Sequence, residues 1–205
     1  METVNTRLFD TYEHATQAVA DLEANGISHQ SISLVANNSD NRYGNGVAAD
    51  DGADPNDAVA DGAGTGASVG TVIGGGAGLL TGLGLLAIPG VGPVVAAGWL
   101  VATALGAGVG AASGGLLGSL VGAGVAETDA HVYAEGVRRG GTLVTVRTDE
   151  REGAMVEQVL ARHAAVDVST RADEYRRGGW SRFDENAPAY TAGASPSSGS
   201  IPPIV

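Results

Sequence analysis

The chain has 205 residues, no cysteine, 11 basic against 23 acidic side chains, and a net charge of −12. Without cysteine there is no disulfide, no zinc–thiolate site and no thiol chemistry. A chain this acidic also lacks the basic surface with which proteins neutralise nucleic-acid phosphate, so no nucleic-acid partner is expected.

The charge is unevenly spread. Residues 1–61 carry a net −9, residues 62–126 carry no Asp, Glu, Lys, Arg or His at all, and residues 127–205 carry −3. All eleven basic residues are Arg, which we read as composition bias rather than chemistry. Met1-Glu2-Thr3-Val4-Asn5 has neither a basic region nor an apolar run, so no secretory signal is expected.

Residues 3–36 read as strand, helix, strand. Thr6–Phe9 is a short strand, and Asp10 or Thr11 can cap a helix from Tyr12 to about Ala24. Ala15, Val19 and Leu22 share one face of that helix, and Gly26 closes it. Ile32 and Leu34 alternate with Ser31 and Ser33, as a half-buried strand should, until Val35 breaks the pattern. Residues 37–61 form an acidic linker. Its Asp50, Asp51, Asp54, Asp57 and Asp61 do not match the spacing of an EF-hand loop, so no metal is expected there.

Residues 62–126 carry two glycine rows at every fourth position. Gly62, Gly66, Gly70, Gly74, Gly78 and Gly82 make the first; Gly98, Ala102, Gly106, Gly110, Gly114, Gly118 and Gly122 make the second. Residues four apart share a helix face, so each row is a strip where another backbone can come close, the small-xxx-small pattern of packed membrane helices. Pro89, Gly90, Gly92 and Pro93 mark a turn between the two arms. Residues 68–88 are 21 uncharged residues, which at a rise of roughly 1.5 Å each reach about 31 Å, the thickness of a hydrocarbon core. Their seven glycines each cost about 1 kcal/mol relative to Ala in a water-exposed helix, a cost that lipid removes by leaving the backbone no other partner. We therefore expect a glycine-zipper helical hairpin in a membrane, with both termini on the same side. The alternative is a cytoplasmic hairpin packed on itself or in an oligomer. A four-residue stripe drifts by roughly 40° per step around a helix, so one neighbour cannot cover a whole row unless the helices cross at a strong right-handed angle; either the two arms wrap tightly or other chains take the remaining glycines, and self-association is favoured.

Residues 127–170 repeat the opening logic: an amphipathic helix with Ala130, Tyr133, Ala134 and Val137, a strand at Leu143–Val146, a helix capped by Thr148 or Asp149, and a last strand at Val166–Val168. Residues 171–205 form a tail, expected to be disordered from about residue 186. Its Tyr175–Phe183 stretch mixes Arg with aromatics; docking onto its own domain is favoured over a partner or a membrane surface. The expected fold is α+β, a ferredoxin-like split βαβ sheet interrupted by the long glycine-rich hairpin, because neither half of about 40 residues buries a core alone.

No catalytic constellation is present. His14, His29, His131 and His163 have no metal-ligand spacing and read as surface residues. A phosphate loop of the P-loop type needs a Lys, which the chain lacks. Glu150 and Glu152 are first-turn acids favoured by the helix dipole, Ser113 and Ser119 are small residues of the zipper, and Arg138-Arg139 can cap the last carbonyls of their helix. No cofactor is implied.

Thr6–Gly26, the Ala87–Pro93 turn between glycine-rich arms, and Ala134–Val144 together resemble the bacterial general stress proteins with a YflT-type, heat-induced stress-protein domain. Gly179-Trp180-Ser181-Arg182-Phe183 adds to the resemblance, which covers most of residues 3–183. It implies a bacterial, stress-induced protein with no known activity and no catalytic residue to carry over, so the expected location is the bacterial inner membrane with both termini cytoplasmic, the alternative being the cytoplasm. The expected function is thus non-enzymatic, in membrane association or self-assembly. The alternative is a soluble oligomeric binding module whose sheet recognises a small ligand or a protein partner, which the sequence does not name.

Overall fold

The computed structural model describes residues 2–40, 84–100, 111–187 and 190. Over these residues the protein is α+β, with an open antiparallel sheet and five helices. In chain order these are β1 (Glu2–Phe9), α1 (Tyr12–Ala24), β2 (Ile32–Asn37), β3 (Gly84–Ile88), β4 (Gly92–Gly98), α2 (Ala111–Gly122), α3 (Glu127–Arg138), β5 (Thr142–Asp149), α4 (Glu150–Arg162) and α5 (Val168–Arg177). The sheet order is β1-β5-β2-β4-β3. β5 lies antiparallel between β1, with Thr6 opposite Thr145, and β2, with Leu34 opposite Val144. β1 and β2 therefore run in the same direction on either side of it.

Helices cover both faces of the sheet. On one face α1 and α4 bury Leu22, Val156 and Leu160 against Ile32, Leu34 and Val144. On the other, α2 and α3 bury Leu116, Leu120 and Val137 against Leu8, Val35 and Leu143. This explains why β2 is buried on both sides from Ile32 to Ala36. The Ser/Ile/Ser/Leu alternation had indicated one wet face. Instead Ser33 is buried, and its hydroxyl donates to the Ala97 carbonyl at 2.9 Å.

The helix starting at Tyr12 is capped by Thr11, whose hydroxyl accepts from the His14 amide. Asp10, the other cap candidate, pairs with Arg171 at 2.7 Å and ties the β1–α1 turn to α5. At the C-terminal end the last expected strand is reduced to one bridge, Val166 opposite Leu8. Asp167 then caps α5 by accepting from the Thr170 amide at 2.8 Å, so residues 168–177 are helical and the ordered fold extends into the expected tail.

The main departure lies in the uncharged middle. Residues 84–98 are not ends of helical arms but a β-hairpin, and β4 pairs with β2. The reason is local. Pro89 and Pro93 forbid a continuous helix, and Pro89-Gly90 takes the two central places of a type II turn, with Gly90 at φ +73 and the Val91 amide donating to the Ile88 carbonyl at 3.1 Å. The Pro89, Gly90, Gly92 and Pro93 turn is thus present, but it joins strands. Val94, Val95 and Ala96 are buried, so residues 84–98 belong to the same sheet and core as the flanks rather than to an inserted hairpin. Residues 41–83, including the linker aspartates, and residues 101–110 lie outside the described part.

Gly98 ends β4 at φ +97, and a methyl group there would strike the Ile32 carbonyl oxygen and lie 2.6 Å from Ser33 Cα. Gly118, in mid-α2, has nothing within 4 Å of the same position. Gly98→Ala should therefore cost about 2–3 kcal/mol through backbone strain and collision, while Gly118→Ala should gain about 1 kcal/mol of helix propensity. Thermal melts of the two variants check this; a lower midpoint for both would place Gly118 in a contact.

Candidate functional site: a carboxylate enclosed by two arginines

The described polar groups gather in two places. The first is the C-terminal end of α3. Its apolar face, with Ala130, Tyr133, Ala134 and Val137, lies on the sheet, which turns Glu135 inward to 1% exposure. A buried carboxylate needs opposite charge and donors to offset its lost hydration. Arg139 supplies Nε at 2.6 Å, and Arg138 supplies Nη1 at 3.2 and 3.3 Å to the two carboxylate oxygens. The pair expected to cap helix carbonyls is instead spent on Glu135.

Aromatic rings enclose this cluster. The Arg139 guanidinium lies 4.3 Å from the Tyr175 ring centroid and 5.2 Å from that of Tyr190; Arg138 lies 5.6 Å from Tyr190. Tyr175 meets Trp180 edge-on at 5.6 Å, and Phe183 is buried beside the sheet. The Arg–aromatic stretch thus docks on its own domain. Burial raises the Tyr175 hydroxyl above the ordinary tyrosine value, against the pull of Arg171 and Arg139. It stays protonated at neutral pH and offers no base.

The second place is the row Thr6, Thr145, Ser33 across β1, β5 and β2. Thr6 Oγ1 donates to Thr145 Oγ1 at 3.4 Å, and the Tyr133 hydroxyl donates to the Thr6 carbonyl at 3.0 Å. Burial raises Tyr133 as well, with Arg7 pulling the other way. Arg7 itself is paired with Glu157 of α4. These hydroxyls are bonded to one another and to backbone, so neither cluster presents an activated nucleophile or a free acid–base pair.

The remaining candidates fall elsewhere. His14 and His29 are exposed, whereas His163 Nε2 lies 2.7 Å from Asp21 Oδ2 and joins α4 to α1, so it is not a plain surface residue. His131 is half-buried, 3.9 Å from Glu127. Glu150 and Glu152 do stand in the first turn of α4. Among the described residues no three His, Asp or Glu side chains gather as a metal would need.

Gly62, Gly66, Gly70, Gly74, Gly78, Gly82, Ala102, Gly106 and Gly110 lie outside the described residues. The second row does not follow one helix, because Gly98 ends a strand, and within α2 the non-helical Gly115 at φ +40 separates Gly114 from Gly118 and Gly122. α2 turns Leu116, Ser119 and Leu120 to the core and leaves Gly118 and Gly122 over open space, whereas Gly98 packs against Ile32 and Ser33 of β2. Ser119 is held by its own helix, donating to the Leu116 carbonyl at 2.8 Å. No helix among the described residues is long and apolar enough to cross a membrane.

Glu135 and Tyr133 were missed as anchors. The signal was available for Glu135, since Arg138 and Arg139 follow at i+3 and i+4 on a helix, where side chains meet. No protein-family model, curated protein or solved structure matches the chain.

Glu135→Gln should leave two arginines facing a neutral amide. At about 2 kcal/mol for the lost charge-assisted bonds, the melting point should fall by about 4–8 °C, with Trp180 emission shifting as α5 loosens. An unchanged melt would make the cluster energetically idle. The Asp167 carboxyl is held down to about 2, first by the Ser169 hydroxyl and then by the Thr170 amide. A depressed carboxyl stabilises the folded state above its unfolded value and loses that contribution as pH falls through the folded value. The cap of α5 should thus persist below pH 3.8 and be lost toward about 2, as read from the Asp167 carboxyl resonance in an NMR titration.

Proposed function

We propose that the protein is a non-enzymatic, bacterial stress-type protein that works by self-association through its uncharged middle segment, on a ferredoxin-like core. The observation that carries this is the position of the exposed apolar groups. Among the described residues the large hydrophobic side chains left exposed are Leu85 at 42% and Val121 at 41%, and both lie in the stretch of residues 62–126 that bears no charge. Chains that share a net charge of −12 repel one another, and two copies meet at least cost where neither presents charge.

The strand order supports the core reading. β1-α1-β2 encloses β5, and β5-α4-Val166 encloses β1, which gives two interlocked split βαβ units with the β3–β4 hairpin added beyond β2. The paired and enclosed polar groups favour a non-enzymatic role over a catalytic one.

A bilayer is the second reading, favoured by one sequence observation: residues 62–83 continue the uncharged run for 22 residues. It places the protein at the inner membrane; self-association alone places it in the cytoplasm. Cell fractionation with an alkaline carbonate wash, followed by mass measurement without detergent, separates them. The expected result is recovery in the supernatant at a multiple of 20.3 kDa. Retention in the washed membrane pellet would give the bilayer reading, and a monomer in the supernatant would overturn both.

A further inference from the structure

The sheet has two unlike edges. β1 is guarded: Val166 bonds across it, its amide donating to the Leu8 carbonyl at 2.7 Å, and the strand carries Glu2 and Arg7. Among the described residues β3 shows none of the devices that blunt an edge. It reads Gly-Leu-Leu-Ala-Ile, without charge or internal proline, and pairs regularly with β4 from Gly84 opposite Ala96 to Ile88 opposite Gly92. Among the described residues nothing pairs with its outer side. Such an edge is a template for another strand.

We propose that β3 is the association site and that its occupant is β3 of a second copy, running antiparallel across a twofold axis to give a continuous ten-stranded sheet; this rests on the self-association reading above. Two observations select the partner and its direction. The strand is uncharged in a chain of net −12, so a second copy adds no repulsion along the strand itself. Acidic residues do lie at one end, where the backbone of Asp184 and Glu185 packs against Gly90 of the turn and Glu185 Oε1 lies by Gly115, which Ile88 and Pro89 also approach. A parallel pairing would set these ends side by side. An antiparallel pairing separates them by the strand length, about 17 Å for five residues at 3.4 Å each, beyond a Debye length of about 8 Å at physiological salt.

The antiparallel pairing also accounts for Leu85. Leu85 and Ala87 lie on the same face of β3 and are both exposed. An antiparallel twin sets Leu85 of one copy near Ala87 of the other and covers both. The interface is isologous and closes at two copies, so an open edge of this kind ends in a dimer rather than a fibre.

The test uses the full chain and its mass by light scattering over a concentration series. Wild type should weigh about twice 20.3 kDa. Leu85→Lys with Ala87→Lys should raise the dimer dissociation constant at least tenfold, since each copy then brings two like charges to the shared edge. Val121→Lys, on the exposed face of α2, should leave the dimer intact. Because Leu85 and Ala87 are exposed, the double variant should keep its far-ultraviolet dichroism, and the single variant Leu85→Lys serves if it does not. If the edge variants remain dimeric while Val121→Lys dissociates, the β3 edge is wrong and self-association stands. If wild type is monomeric throughout, both readings fall.

Discussion

Everything in this fold depends on the insertion of β5 between β1 and β2. The two N-terminal strands do not touch each other; each finds its partner in Thr142–Asp149, over 100 residues along the chain from β2. Until that pairing forms, neither face of the sheet is complete, and α1 has half a surface to pack on. The pairing also sets both cores, because Val144 and Val146 belong to one while Leu143 belongs to the other. The entropy of closing so long a loop grows only slowly with length, by about 0.6 kcal/mol for each doubling. A long excursion between the halves is therefore thermodynamically cheap, and it burdens folding speed more than stability.

Most of the core was legible because its elements carry local signals. α1 shows both a periodic face and a stop, and the structure places its ends at Tyr12 and Ala24 as expected; α3 shows a periodic face and α4 a cap. The uncharged middle was illegible for the complementary reason. A run in which every residue is apolar or small has no polar face, and periodicity cannot then tell a buried strand from a buried helix. The four-residue glycine spacing supplied a period where the hydrophobic pattern had none. Yet the turn residues run straight into β4, whose second residue is Pro93, and pairing with β2 outweighed the long-range regularity. The short α5 was lost at a single junction, because Val166-Asp167-Val168 also reads as an alternating strand, whereas Asp167 is a cap.

The polar clusters were legible only in part. Glu135, Arg138 and Arg139 stand at helix-neighbour spacing, so their contact could be inferred. Their enclosure by Tyr175 and Tyr190 could not, because it requires α5 and the chain beyond it to return to α3. Thr6 and Thr145 likewise meet only through the β1–β5 register. What these groups share is that each is occupied by a neighbour. They fix how helices sit on the sheet, and the exposed apolar groups are left to the hairpin and α2.

The late position of β5 has a consequence for how the protein comes off the ribosome. At about 5–20 residues per second, the β1-α1-β2 unit waits some 5–20 s for the strand that joins it. During that interval the two inner strand edges are bare, and the acidic linker of residues 37–61 stands between them and the glycine-rich, uncharged stretch. Residues 1–61, which hold both strands and that linker, carry three-quarters of the chain's net negative charge, −9 of −12. Like charge on neighbouring chains repels, so this lopsided charge opposes association through the open edges until β5 fills them.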